Sequence, residues 1–367
     1  IYNSGDITVT TVEARSRALY AVTDGIALIS NSGDLTVVGG IGAIGAGAAG
    51  AYGATTINTG DVSVTSTVYE TGVNYYGQDY YLGGWAYGLF AASRAIGVAT
   101  VINSGDIDVH GATKGTGISA NSRFGSTYIS NSGDLTVVGD IESAFGIYTK
   151  GSSYEEFIYG ETGYTTVHNT GDISATSGFL AAGIYAISQF GNVLVENAGD
   201  ITATAELGRA FGIGAYTPYG NLDIVNIGDV TVTASENATG IAAVTAGYSG
   251  EYYYFPADIS VANGGQVSVS SDNGRSTGIS ATTTYGDVSF EISGSVDVAG
   301  ADRSTGLSAS SLYGDVAIYT DADITVSSGS EYALGISTFS DYGDVNVVNY
   351  GGIDVSGTSL TQGVLAR

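Results

Sequence analysis

The sequence predicts an all-β fold: a single parallel β-helix (β-solenoid) with three short strands per coil, about 12 coils of 28–29 residues and negligible helix. Three observations predict it. An Asn-x-Gly-Asp landmark recurs along the whole chain, the spacing between copies has a basic period of 28–29 residues, and apolar and polar residues alternate within short segments of each repeat. We therefore expect residues 1–367 to form one elongated domain rather than several globular ones.

The landmark defines the repeats and shows where they are interrupted. Three repeats are longer than the basic period, with insertions at about 66–87, 150–164 and 247–258. Degenerate copies begin at Ile292 and Thr320, and a better one begins at Asn349. The clear copies begin at Asn3, Asn31, Asn58, Asn103, Asn131, Asn169, Asn197, Asn226 and Asn263.

Each repeat contains three strand-like segments separated by Gly, Asn, Ser and Asp. The first is Gly-Asp-Ile-x-Val, the second is Gly-Ile-x-Ala, and the third follows an aromatic-Gly pair. Apolar residues at alternate positions should point inward, because successive strand side chains face opposite ways. Stacked coils then place each strand beside its equivalent in the next coil, about 4.8 Å away.

The corners between segments carry two expectations. The landmark Asn can stack its amide along the solenoid axis, and the Gly two residues later is expected to adopt a positive φ angle. A partial aromatic ladder is expected before the third strand. Its members are Tyr52, Phe124, Phe190, Tyr219, Tyr285, Tyr313 and Tyr342.

Composition excludes several function classes. The chain has 36 acidic and 10 basic side chains, a formal charge of −26, which disfavours nucleic acid and anionic membrane surfaces. It has no cysteine, so neither a disulfide framework nor a thiolate metal site is expected. No run of 18 apolar residues occurs, so this segment is not expected to insert into a membrane.

The repeats continue to both ends of the sequence. The first residues already belong to a repeat, and no signal peptide or capping segment is visible. Solenoids normally need polar caps, because open strand edges associate. We therefore expect either a piece of a longer protein or a subunit whose ends meet neighbours, as in a homo-oligomer or a head-to-tail polymer.

The motifs resemble those of Gram-negative autotransporter passenger domains and related secreted β-helix adhesins. The resemblance rests on Asn-Ser-Gly-Asp-Ile-x-Val at 103–109, on Thr-Gly-Ile-Ser-Ala at 277–281, and on Gly-Asp-Val followed by Phe290. It covers essentially the whole chain. It implies export, an extracellular or cell-surface location on a Gram-negative bacterium, and an adhesive role.

A column of aspartates gives the first candidate site. Two interpretations stay open: Ca²⁺ bridging neighbouring coils, or carboxylates that cap their own turns through backbone N–H groups. No other cofactor is expected. The metal-ligand candidates are Asp6, Asp34, Asp61, Asp106 and Asp134.

A column of basic residues partly offsets this charge. Its members occupy equivalent positions near the second strand, where they form either a groove for sugar acids or phosphate, or a solvated corner. They are Arg15, Lys114, Arg209, Arg275 and Arg303.

The insertions are the third candidate, because long loops on a rigid scaffold often carry recognition. They are rich in Tyr, which offers a large contact surface with a polar tip. The alternative is that these segments fold over the solenoid wall and cover apolar patches. The candidate ligand- or partner-binding residues are Tyr75, Tyr76, Tyr80, Tyr81, Trp85, Tyr154, Tyr159, Tyr252, Tyr253 and Tyr254.

The sequence thus predicts a non-enzymatic surface or matrix protein with structural or adhesive function. Its expected partner is a glycan, a cell-surface protein or copies of itself, bound through the Tyr-rich insertions and the open ends. The alternative is a β-helix polysaccharide lyase or hydrolase. That alternative is weaker because Lys and His are scarce, and the clustered carboxylates Glu155, Glu156 and Glu161 lie in an insertion rather than on a fixed strand.

Overall fold

The chain is an all-β parallel β-solenoid in the computed structural model, which describes residues 1–73, 79–151, 163–249, 254–255 and 257–367. Three sheets of 12 parallel strands form its walls, and eleven turns separate the first strand of a sheet from the twelfth. The predicted fold class is confirmed. No helix occurs in the described part of the chain, and so none there is long and apolar enough to cross a membrane.

In each coil the chain passes through sheet A, then sheet B, then sheet C. We number the coils 1 to 12 in chain order, so that each strand below belongs to the coil of the same rank. The strands of sheet A are Tyr2–Asn3, Ala27–Asn31, Ala54–Asn58, Ala99–Asn103, Thr127–Asn131, Thr165–Asn169, Val193–Asn197, Leu222–Asn226, Ile259–Asn263, Val288–Ile292, Val316–Thr320 and Val345–Asn349.

Sheet B carries the Gly-Asp-Ile-x-Val segments, and its strands are short. They are Ile7–Thr10, Leu35–Gly39, Val62–Ser66, Ile107–Gly111, Leu135–Gly139, Ile173–Ser177, Ile201–Ala205, Val230–Ala234, Val267–Ser271, Val296–Gly300, Ile324–Ser328 and Ile353–Gly357.

Sheet C carries the Gly-Ile-x-Ala segments and has the longest strands. They are Arg15–Thr23, Gly42–Gly50, Trp85–Ile96, Lys114–Phe124, Ser143–Gly151, Leu180–Ser188, Arg209–Thr217, Asn237–Thr245, Arg275–Thr282, Arg303–Ser311, Tyr332–Ser340 and Leu360–Ala366.

Two antiparallel pairs stand apart from the three walls. Tyr69–Val73 pairs with Asp79–Gly83 between sheets B and C of coil 3, and Tyr248–Ser249 pairs with Tyr254–Phe255 between coils 8 and 9. Both lie in predicted insertions. The first inserted segment ends earlier than the sequence indicated, because Trp85 already begins a strand of sheet C.

The core is a narrow column of inward-facing Ile, Val, Leu and Ala. Ile107 and Val109 of sheet B and Ile118 of sheet C are at most 1% exposed, and their equivalents in neighbouring coils pack directly above and below them. Removing this apolar surface from water stabilises the fold by roughly 25 cal/mol per Å². Because a single coil cannot bury its inward face without the coils above and below it, the coils stabilise one another.

The corner after sheet A is held by a ladder of buried asparagine amides, as the sequence predicted. Each Nδ2 donates to the Oδ1 of the next ladder Asn at 2.7–2.9 Å and to the carbonyl oxygen two residues along its own chain. The ladder runs without a break from Asn3 to Asn263. It therefore satisfies a column of corner polar groups that no sheet reaches.

The prediction that the corner Gly has a positive φ angle is wrong. Positive φ angles occur at Gly53, Gly83, Gly84, Gly97 and Gly247 of the described residues, and not at the Gly that follows the ladder Asn. The corner Gly is required for space instead: a Cβ on Gly33 would lie 2.3 Å from the carbonyl oxygen of Gly5 in the coil below.

Candidate functional site

The outer face of sheet C carries a cluster of large aromatic side chains in coil 3. In the strand Trp85–Ile96, Ala86 and Leu89 point into the core and are at most 1% exposed. Trp85 and Tyr87 flank the inward Ala86, the alternation shifts by one residue at Gly88, and Phe90 follows the inward Leu89; all three rings therefore face outward and are partly exposed. The rings contact one another edge to face, with centroids 5.8 Å apart for Trp85 and Tyr87 and 6.5 Å apart for Tyr87 and Phe90.

Two glycines of coil 2 leave the space into which the Trp85 and Phe90 rings pack. A Cβ on Gly42 would lie 2.5 Å from the Trp85 ring, and one on Gly47 would lie 2.0 Å from the Phe90 ring. Both rings therefore lie back over coil 2 and away from coil 4. Beyond coil 2, the Arg15 guanidinium lies 5.5 Å from the Trp85 ring centroid, within range of a cation–π interaction.

A second aromatic cluster covers coils 5 and 6 and leans the opposite way. Phe145 and Tyr148 have ring centroids 5.4 Å apart, and Tyr148 stacks on Tyr185 at 6.2 Å and 20°. Tyr185 in turn lies over Gly214, where a Cβ would be 2.7 Å from its ring. Trp85 and Phe90 on one side of coil 4 and Tyr185 on the other therefore lean in opposite directions.

Small polar side chains occupy coil 4 between the clusters. Phe90, Ser119 and Tyr148 share one register across the three strands, so Ser119 lies between the two rings. Asn121 donates a hydrogen bond from Nδ2 to Ser119 Oγ at 2.9 Å. We name the resulting depression of about 470 Å³ the aromatic groove; its lining is Ile44, Trp85, Tyr87, Phe90, Ala92, Lys114, Ser119 and Asn121.

The protonation of two tyrosines and the ion pair of one lysine determine what the groove can offer a ligand. Burial raises the pKa of Tyr87, an effect that nearby Lys114 partly offsets, and burial together with Tyr185 and Tyr87 raises the pKa of Tyr148. Both phenols therefore stay neutral at physiological pH and can donate and accept hydrogen bonds. Lys114 is held at the rim by a 2.7 Å ion pair with Glu142.

The aromatic groove continues into a second depression of about 510 Å³ at the end of sheet C, which we name the cationic groove. Ala92 and Asn121 line both. Arg94, Arg123 and Lys150, from coils 3, 4 and 5, are exposed and line the cationic groove. The rest of its lining is Ser93, Ser122 and Gln189.

The predicted basic column occupies a single register of sheet C. Arg15, Lys114, Arg209, Arg275 and Arg303 align across the strands, with other residues at the intervening coils. Lys114 borders the aromatic groove, whereas Arg303 pairs with Glu331 and lies 5.0 Å from the Tyr332 ring centroid. The column therefore does not form one continuous groove.

The predicted aspartate column is a ladder in its own right. Oδ1 of each Asp accepts the backbone N–H of the next Asp, at 3.0 Å for Asp6 to Asp34, Asp34 to Asp61, Asp61 to Asp106 and Asp106 to Asp134. An open groove of about 550 Å³ is lined by these carboxylates from Asp34 to Asp134, together with Asp108. Within the described ranges, no three His, Cys, Asp or Glu side chains come together in a metal-binding group.

The sequence reasoning missed a second ladder of this kind at the start of sheet A. There the acceptors are Asn192, Asn221, Asp258, Asp287 and Asp315, with bonds of 2.7–3.1 Å to the next backbone N–H. The signal was present, because Asn or Asp follows the aromatic-Gly pair in four of these five repeats, the exception being Asp258, which follows Ala257. In the later coils the tyrosine ladder accompanies it, with Tyr285, Tyr313 and Tyr342 stacked 4.8 and 4.9 Å apart.

Most of the candidate tyrosine side chains in the three insertions are outside what the structure describes. Tyr75, Tyr76, Tyr154, Tyr159, Tyr252 and Tyr253 lie outside the described residues. Tyr80, Tyr81 and Tyr254 lie in the antiparallel pairs, where only the backbone is described. Of the predicted aromatic candidates, Trp85 is the one the structure places in a groove, and it is a strand residue of sheet C.

Other groove residues were not singled out from the sequence. The groove residues Tyr87, Phe90, Arg94 and Arg123, and Tyr148 of the second aromatic cluster, appear unrelated when the chain is read in order. Aligning the repeats on the Gly of Gly-Ile-x-Ala would have placed Phe90, Ser119 and Tyr148 in one outward column.

The fold and the grooves define an elongated β-solenoid with aromatic clusters on the outer face of one sheet. Neither protein-family models nor curated proteins nor solved structures give a match to this chain. The resemblance to autotransporter passengers therefore rests on the repeat motifs alone.

Proposed function

We propose that this chain is an extracellular, non-enzymatic surface or matrix solenoid that adheres to glycan through the aromatic groove. The observation that carries the proposal is the pair of aromatic clusters on the outer face of sheet C, with the small polar residues of coil 4 between them. Sugar rings have apolar C–H faces and a rim of hydroxyls. Aromatic faces beside a few fixed polar groups are a common way to bind such ligands.

The position of the groove on strands supports this proposal. Trp85, Tyr87 and Phe90 project from a hydrogen-bonded strand paired on both sides, so little conformational entropy is lost when a ligand orders them. Asn121 and Lys114 supply amide and ammonium groups beside the rings, and the buried Ser119 hydroxyl holds the Asn121 amide. The export and surface location implied by the family resemblance agree with a glycan partner.

The test is binding to an oligosaccharide array, followed by titration calorimetry with the best ligand. Trp85→Ala should weaken binding about 30-fold, because truncating a central aromatic anchor typically costs about 2 kcal/mol. Tyr319→Ala is the matched control: Tyr319 is an exposed aromatic on sheet A, 51% exposed, and its loss should leave binding unchanged.

Other outcomes separate the alternatives. Release of reducing ends or unsaturated sugars from the bound polysaccharide would replace adhesion by the lyase or hydrolase function. Sedimentation that depends on protein concentration, with no glycan bound, would favour self-association as the partner. Glycan binding that Trp85→Ala does not change would contradict the assignment of the groove.

A further inference from the structure

The cationic groove collects basic side chains in a strongly acidic molecule. The chain has 10 Lys and Arg against 36 Asp and Glu, yet Arg94, Arg123 and Lys150 line one depression. These three come from three successive coils, whose spacing is about 4.8 Å. Their mutual repulsion opposes such a cluster, so an anion in the groove would relieve it.

The contacts that these cations make within the protein leave them able to pair with an anionic ligand. Arg94 donates to the Thr23 carbonyl oxygen at 2.7 Å and makes a 3.5 Å contact with Asp24, whose side chain is fully exposed. Such an exposed pair contributes little and exchanges readily with a ligand. Arg123 lies 4.8 Å from the Phe124 ring centroid, which orients its guanidinium without neutralising it.

The two grooves are continuous, and this determines which anion fits. Ala92 and Asn121 line both, so a chain of sugars lying across Trp85, Tyr87 and Phe90 continues directly to the three cations. We propose that the glycan bound here is acidic, carrying carboxylate or sulfate groups that pair with Arg94, Arg123 and Lys150. This inference rests on the proposed function and names its substrate class.

The overall charge argues against a dense polyanion as the ligand. With a formal charge of −26 and two acidic ladders along the same body, the protein repels a long phosphate backbone. At physiological salt this repulsion is screened beyond about 8 Å. A short segment with a few acid groups can therefore meet the local cations while it avoids the distant carboxylates.

The experiment compares an oligogalacturonate with its carboxyl-reduced, neutral counterpart by titration calorimetry. A sulfated oligosaccharide of the same length and its desulfated form make a second pair. The native protein should bind at least one acidic form about 10-fold more tightly than its neutral partner, and that preference should shrink as salt rises.

The variant Arg94→Gln/Arg123→Gln/Lys150→Gln should abolish the acidic preference and leave the neutral oligosaccharide affinity as it is. The control Arg209→Gln/Arg275→Gln/Arg303→Gln removes the same charge from the same sheet outside the grooves, and it should retain the preference. Trp85→Ala should weaken binding of acidic and neutral forms alike.

The outcomes distinguish the two proposals. If native protein binds acidic and neutral forms equally and Trp85→Ala weakens both, the glycan function stands and the acidic specificity is overturned. If Trp85→Ala affects neither, the proposed function itself fails. If a short single-stranded DNA binds as tightly as the acidic sugars and the triple variant abolishes it, the groove is a general anion site rather than an acidic-glycan site.

Discussion

Asn131 shows how single residues hold this solenoid together. Its Nδ2 donates to the Gly133 carbonyl oxygen at 2.7 Å and to Asn169 Oδ1 at 2.8 Å, and its own Oδ1 accepts from Asn103 at 2.8 Å. The side chain is 2% exposed, so water cannot replace these bonds. The Oδ1 of each ladder Asn that follows another therefore has its partner only while the preceding ladder residue is asparagine.

The end of the ladder confirms this dependence. Ile292 and Thr320 occupy the ladder position in coils 10 and 11, and Asn resumes at Asn349. Asn349 Oδ1 is buried and has no hydrogen-bond partner in the described structure. The cause is direct, because the preceding ladder residue, Thr320, has no side-chain N–H that could donate to this oxygen.

Asn131→Ala should lower the free energy of unfolding by about 3 kcal/mol. The change leaves Asn169 Oδ1 and one Asn103 N–H buried without a partner, and each such group costs about 1–3 kcal/mol. Chemical denaturation followed by circular dichroism measures the effect. Asn346→Ala, at an exposed position outside the ladder, is the control and should change stability by less than about 0.5 kcal/mol. Equal losses in the two variants would mean that the ladder contributes nothing specific.

At the scale of the strand and its corner, the distance between coils is set by glycines. The corner Gly of one coil lies directly over the corner Gly of the coil below, so a side chain there would separate the strands on both sides. A Cβ on Gly133 would lie 2.0 Å from the Gly105 carbonyl oxygen. The neighbouring sheets hold the backbone in place, and the carbonyl cannot move without breaking their ladder bonds.

Gly133→Ala should therefore destabilise the protein by about 1–3 kcal/mol, the usual cost of overpacking a fixed interior. Gly264→Ala is the matched control, since Gly264 is at an equivalent kind of corner but its Cβ would have no atom closer than 3.9 Å. Thermal melting of both variants measures the difference. A Gly133→Ala protein that melts with the native one would show that coil spacing adjusts freely.

The elements that repeat in every coil were predictable, and the reason is physical. Ile107 and Val109 alternate with polar residues, as in a strand that buries one face, and Ile118 lies in the next strand segment of the same repeat. Because the repeat has a length of 28–29 residues, equivalent residues of successive repeats stack. The asparagine ladder and the shared register of the basic column follow from the same stacking. Twelve strands per sheet agree with twelve repeats.

What could not be predicted depends on the neighbouring coil rather than on local sequence. Gly33 was expected to need an unusual φ angle, but its requirement is the carbonyl oxygen of Gly5, 28 positions earlier. Trp85 was placed in an insertion, although it is the first residue of a strand of sheet C. The aromatic groove arises because Trp85 and Phe90 lean onto glycines of coil 2. The sequence of one repeat does not contain the information that sets the direction of these rings.

At the scale of the whole molecule, the dominant feature is a body of charge −26 with two parallel acidic ladders. Carboxylates about 4.8 Å apart repel one another by about 1 kcal/mol per pair in water. Each backbone N–H that donates to the carboxylate of the preceding coil offsets part of this repulsion. In the second ladder Asn192 and Asn221 accept the same bond without any charge, which shows that the bond needs only a side-chain oxygen.

The behaviour of the first ladder toward salt and Ca²⁺ follows from that geometry. Because Oδ1 of Asp34, Asp61 and Asp106 already accepts a backbone N–H, we expect general screening rather than a specific cation to stabilise the column. Raising salt from about 0.01 M to about 0.15 M shortens the screening length from about 30 Å to about 8 Å and should raise the melting temperature by a few degrees. CaCl₂ should then give the same melting temperature as MgCl₂ or NaCl at equal ionic strength.

Asp106→Asn and Asp106→Ala separate charge from hydrogen bonding in this column. The Asn variant keeps the oxygen that accepts the Asp134 N–H and removes one charge, so at low salt it should be more stable than the native protein by about 0.5 kcal/mol. The Ala variant loses the acceptor as well and should be less stable by about 1 kcal/mol. Melting curves in chelator and in millimolar Ca²⁺ complete the comparison. If Ca²⁺ raises the melting temperature, chelator reverses the rise and Asp106→Asn abolishes it, Ca²⁺ bridges the coils. The ladder would then be a metal site rather than a column of hydrogen-bonded carboxylates without a bound metal.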